Sequence, residues 1–183
     1  MRLRVNAAPL AAKRRSGLSL LETTIATAIG SIVLAAIMGV LLFSSRSFVA
    51  MGNYMDLDRL SRNALDRMSR DIRQTTALQS YSSNELVFTD FDANTLTFLW
   101  TPSDGQLVRI KAGTTNVLLT QCDYLNFHIC QRNPIPGVFD FYSASNNASI
   151  GKLIDLSWKC SRKILGAKIN TESVQTAKIV IRN

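Results

Sequence analysis

The sequence predicts an α+β protein in which one long N-terminal helix precedes an antiparallel β-sheet. Three observations carry that prediction. Thr23 to Ser45 is a run of 23 residues without a charge. Leu57, Leu60, Ala64, Met68 and Ile72 then recur at the spacing of a single helical face. Beyond Gln79 the apolar residues change to a period of two, which marks half-buried strands.

The uncharged run comes first. At 1.5 Å per residue it makes roughly 34 Å of helix, enough to cross a hydrocarbon core of about 30 Å. No proline interrupts it. Ala26/Gly30 and Ala35/Gly39 are small pairs at i,i+4. They admit two readings: close approach of a neighbouring helix within lipid, or the ordinary composition of membrane helices.

Upstream, Arg2, Arg4, Lys13, Arg14 and Arg15 precede Ser16-Gly17 with no acidic residue among them. A lone Glu22 separates this segment from the apolar run. A secretory signal peptide places its cleavage site after the apolar stretch; here the junction lies before it. The basic leader can be removed while the apolar helix stays with the chain. The leader's charge also favours a cytoplasmic N-terminus and an extracytoplasmic C-terminal part. The expected organisation is a leader over 1–17, a transmembrane helix over 18–45, its amphipathic continuation over 46–77 and a β-rich domain over 78–183.

Charge bounds the function further. The formal net charge is +8, but five of the 21 basic side chains belong to the leader. Their removal leaves 16 basic against 13 acidic side chains. A nucleic-acid-binding domain wants a basic face on its folded part, so direct nucleic-acid binding is not expected.

Between Asn53 and Ala77 there is neither Pro nor Gly, and Asp58/Arg62 and Asp66/Arg70 set acid before base at i,i+4. One helix from about Leu18 to Thr76 is expected, close to 90 Å long at 1.5 Å per residue. The alternative is a pair of helices broken near Gly52-Asn53.

Strands are expected around Leu86/Phe88, Leu96/Phe98/Trp100, Leu125/Phe127/Ile129, Phe139/Phe141, Ile154/Leu156/Trp158 and Ile179/Ile181. Asp92-Ala93-Asn94, Ser103-Asp104-Gly105 and Ala112-Gly113-Thr114 provide turns between them. Such short connections imply antiparallel pairing, with the stripe from Leu57 to Ile72 covering the apolar face.

Cys122, Cys130 and Cys160 all fall in the extracytoplasmic half, where disulfides are chemically allowed. The odd count leaves one thiol over, and the connectivity is open. His128 is the single histidine and no CxxC occurs, so neither a metal site nor a cofactor is expected. His128 and Cys130 share a strand face, but such neighbours lie about 6.5–7 Å apart, too far for direct proton transfer. With no GxSxG, HExxH or phosphate loop either, an enzyme is not expected.

The stretch Arg14-Arg15-Ser16-Gly17-Leu18-Ser19-Leu20-Leu21-Glu22 resembles the prepilin peptidase site of type IV pilins and type II secretion pseudopilins. That pattern is a basic leader, Gly, an apolar residue (usually Phe), Ser or Thr, Leu, any residue, then Glu. Leu18 departs from the usual Phe. The likeness is good from Lys13 to about Ile72 and is one of style over the sheet. The overall layout looks most like the larger minor subunits, of the PilW or pseudopilin J kind.

The resemblance implies cleavage between Gly17 and Leu18 by prepilin peptidase, then N-methylation of Leu18. It also implies partners: other pilins or pseudopilins and an inner-membrane assembly platform. Glu22 would serve assembly by meeting the new amine of a neighbouring subunit. The rival readings are a single-pass anchored extracytoplasmic binding protein and a competence pseudopilin for DNA uptake.

Overall fold

The structure, a computed structural model, describes residues 17, 19–138, 142–163 and 171–181. The chain divides into two compact units, one ending at Ser44 and one beginning at Ser45. Helix α1 (Leu20–Arg73) contributes to both. It is continuous through Gly52-Asn53, so the two-helix alternative does not hold.

The helix ends at Arg73, earlier than the sequence suggests. The Gln74 N–H donates to the Asp71 carbonyl at 3.0 Å, closing the last turn. The Thr75 hydroxyl donates to the Ile72 carbonyl at 2.7 Å, the acceptor that a longer helix would offer to the N–H of Thr76. Two successive β-branched residues then favour an extended backbone. Strand β1 (Thr75–Tyr81) therefore begins where the helix was expected to continue.

In the second unit the buried face of α1 is Leu57, Ser61, Ala64, Met68, Asp71 and Ile72, with Leu60 only half-buried. The stripe is rotated slightly from the one expected. Ser61 replaces Leu60 because its hydroxyl accepts the indole N–H of the fully buried Trp158 at 3.3 Å. Asp58 and Arg62 make the expected i,i+4 ion pair at 2.8 Å.

The strands form two antiparallel sheets, not the one expected. The first is a meander of β1, β2 (Glu85–Asp90), β3 (Thr95–Thr101), β4 (Gln106–Lys111) and β5 (Thr114–Leu119), in that spatial order. The second comprises β6 (Cys122–Arg132), β7 (Tyr142–Ala144), β8 (Gly151–Ser161) and β9 (Glu172–Val180), ordered β7-β6-β8-β9. The division falls at Gln121, whose φ of 59° turns the chain after β5. Strand β6 then pairs with β8 along nearly its whole length instead of extending the meander.

Backbone bonds join the sheets: Cys122 N–H to the Gly105 carbonyl at 2.8 Å and Phe127 N–H to the Ser83 carbonyl at 3.0 Å. Phe88, Phe98, Leu107, Ile129, Ile154 and Trp158 meet the α1 stripe in one core. The expected turns lie between β2 and β3, β3 and β4, and β4 and β5. Phe139 and Phe141 lie outside the described residues. Ile181 follows β9 and still donates its N–H to Lys152, at 2.9 Å.

Candidate functional site

The site is built at the N-terminal end of α1, within the first unit. Gly17 is exposed and precedes the helix, while Leu18 lies outside the described residues. Ser19 caps the helix. Its carbonyl accepts the Thr23 N–H at 3.1 Å, and its hydroxyl accepts the Glu22 N–H at 3.2 Å. Ser19-Leu20-Leu21-Glu22 thus has the spacing of a capping box, a signal for the helix start that the sequence carries beside the cleavage pattern. Glu22 is exposed in the first turn, where the helix dipole favours a carboxylate.

Polar side chains further along are satisfied internally. Thr23, Thr24, Thr27 and Ser31 each donate their hydroxyl to the carbonyl three residues earlier, at 2.8–2.9 Å. A helix in hydrocarbon has no water to satisfy spare donors, so this arrangement suits a lipid surrounding. Large apolar side chains from Leu20 to Phe43 are exposed, and the helix is long and apolar enough to cross a membrane.

The small residues fall into two groups. At about 100° per residue, Ala26 and Gly30 lie on one side of the helix and Ala35 and Gly39 nearly opposite. A Cβ on Gly30 or Gly39 would meet nothing within 4 Å, so both notches are open. Glu22 is four residues before Ala26 and continues the first row.

The cysteines are in the second unit. Cys122, Cys130 and Cys160 are buried thiols, and Cys122 faces Cys160 across β6 and β8. Cys130 is opposite Ala144 and Leu153 instead. Its sulfur is 3.6 Å from Nδ1 of His128, which corrects the separation expected from strand spacing alone: the side chains lean together. Burial and the charge of Asp155 push the Cys130 thiol up, with Lys178 opposing. The arrangement therefore has a base in reach but a thiol held in its protonated, poorly nucleophilic form. Among the described residues no group of three His, Cys, Asp or Glu is placed to hold a metal ion.

The architecture is pilin-like: a long apolar N-terminal helix followed by antiparallel sheets. Comparison with protein-family models, curated proteins and solved structures finds no match for the chain.

Proposed function

We propose that this chain is a minor pilin or pseudopilin, a structural subunit of a type II secretion pseudopilus or a type IV pilus. The observation that carries the reading is the row that starts at Ser19. A capped helix start, an exposed acid and a close-packing notch follow directly on Gly17, at the head of an apolar helix.

Prepilin peptidase cuts after Gly17 in this scheme, and the subunit stays in the inner membrane with its sheets outside the cytoplasm. Leaving the bilayer, the helix exchanges lipid for the helices of other pilins or pseudopilins at the assembly platform. The chain itself carries no catalytic role. Glu22 then has a defined task. An exposed carboxylate entering a helix bundle loses its hydration, and the cationic amine of a neighbouring Leu18 replaces it with an ion pair.

Mass spectrometry of the N-terminus tests the processing. The expected species starts at Leu18 and carries an added methyl group; an intact Met1 favours the anchored binding protein instead. Two substitutions isolate the charge, because the Ser19 cap is made to the Glu22 backbone N–H and survives both. Glu22→Gln removes the charge and keeps a polar side chain of the same size, whereas Glu22→Ala removes the side chain. Both variants should insert and be cleaved but fail to co-purify with sister subunits. Wild-type co-purification of Glu22→Gln would show that the charge is not needed for assembly.

A further inference from the structure

Cys122 opens β6, and Cys160 lies one residue from the end of β8. Register sets them directly opposite one another. The Ser161 N–H donates to the Gln121 carbonyl at 3.0 Å, which makes that adjacent pair the hydrogen-bonded one. Cys122 and Cys160 therefore occupy a non-hydrogen-bonded position, where Cα atoms are about 4.5 Å apart. This falls inside the roughly 4.4–6.8 Å that a disulfide tolerates. Both side chains turn into the core, each 1 % exposed, and the Cys122 thiol donates to the Tyr124 carbonyl at 3.2 Å. Cys130 has no cysteine opposite it on either neighbouring strand.

We propose that Cys122 and Cys160 are joined in the mature protein by a cross-strand disulfide, with Cys130 remaining a free thiol. The oxidising surroundings it requires rest on the extracytoplasmic placement proposed above; the choice of partners rests on register alone. The oxidant is a protein disulfide of the thiol-oxidase class. One cysteine thiolate attacks a sulfur of that disulfide, forming a mixed disulfide and releasing the oxidant's other sulfur as a thiolate. The second cysteine thiolate then displaces the oxidant's remaining sulfur and closes the bond. Two electrons pass to the oxidant, and the two protons lost by the cysteines convert its sulfurs to thiols.

Cys160 is the better first nucleophile. The neighbouring Cys122 and Ser61 side chains lower the Cys160 thiol against the effect of burial, while Cys160 and burial push the Cys122 thiol up, and the Cys122 S–H is held by the Tyr124 carbonyl at 3.2 Å. Access comes from the same end of the sheet. A groove of about 580 Å³, lined by Gly105, Gln121, Cys122, Asp123 and Ser161 among others, reaches Cys122 and the neighbour of Cys160. A register shift between Cys122 and Tyr124 interrupts the ladder beside it, so local opening there uncovers both sulfurs.

The test uses the full chain, purified in detergent from membranes lysed in a thiol-alkylating reagent and then unfolded in the same reagent, so that buried thiols react too. One alkylated thiol is expected, at Cys130, with two more appearing only after reduction. Trypsin should release a linked pair of peptides, 112–132 and 160–162. Because 112–132 also contains Cys130, the same map is made on Cys130→Ser, which should retain the link. Reduction should lower Tm by about 10 °C.

A link through Cys130, or three alkylatable thiols in the isolated protein, overturns the proposal. Treating the reduced protein with oxidised glutathione then tells which premise failed. Closure of Cys122 to Cys160 under that treatment places the error in the compartment, and failure to close places it in the pairing.

Discussion

Nε of Arg109 on β4 donates to Oδ2 of Asp71 on α1 across 2.6 Å, with both side chains almost wholly withdrawn from water. Arg67 approaches the same carboxylate oxygen from one turn away, at 3.6 Å. The pair fastens the first sheet to the amphipathic part of the helix. A buried ion pair adds little net stability compared with apolar residues, but an orphaned half is destabilising.

Asp71→Leu should accordingly cost about 3–5 kcal/mol, because it leaves the buried Arg109 charge behind, and Arg109→Met less, because Arg67 still reaches Asp71. The double variant should be markedly less damaged than either single one. Chemical denaturation in detergent, arranged as a double-mutant cycle, reads the coupling. Additive losses would show that the charges act separately.

A second buried carboxylate sets acid sensitivity. Asp90 contacts the Lys111 ammonium, which holds its carboxyl below the ordinary range against the opposing effect of burial. The folded value is thus lower than the unfolded value of about 3.9. The stability it contributes is fully present above that pH and is lost as pH falls through the folded value. Asp90→Asn should flatten the fall in Tm below about pH 4, while Lys111→Met should move the fall to higher pH.

The β4–β5 hairpin carries a backbone penalty that one substitution can relieve. Lys111 pairs with Thr114, and the two residues between them, Ala112 and Gly113, have φ of 48° and 76°. A two-residue loop of this hand suits Asn-Gly, whereas alanine is strained by its Cβ. Ala112→Asn should raise stability by about 1 kcal/mol, measured by the denaturation midpoint.

At Gly151 the direction reverses. Its backbone is an ordinary extended one, but an added Cβ would lie 2.8 Å from Cγ2 of Ile129 and 3.3 Å from the Ala148 carbonyl. Gly151→Ala should therefore lose about 1–3 kcal/mol through overpacking, although alanine at an unobstructed site would stabilise. An unchanged denaturation midpoint would show that β6 yields to the extra methyl.

Much of this was legible in periodicity. The α+β class, the helix and the strands around Phe88, Phe98, Phe127 and Leu156 all follow from apolar spacing, because burial on one face is what that spacing encodes. The parts that escaped have polar residues at buried positions. Arg109 occupies an inward position of β4, and only the facing Asp71 makes that tolerable. Ser61 looks like a surface residue until Trp158 needs an acceptor. Strand β5 is almost wholly exposed at a sheet edge, so it has little alternation to display. At the helix start, the Ser19–Glu22 spacing is present in the sequence, but a serine three residues before an acid becomes a cap only where the helix begins, and the apolar run does not mark that residue.

That cap has a bearing on how the precursor and its product differ. Ser19 and every helical residue after it lie downstream of the proposed scissile bond, and Gly17 stands outside the coil. Cleavage at that bond would therefore leave the Ser19 cap untouched. It would alter the electrical character of the tip, while the cap that presents it is already in place in the uncut chain.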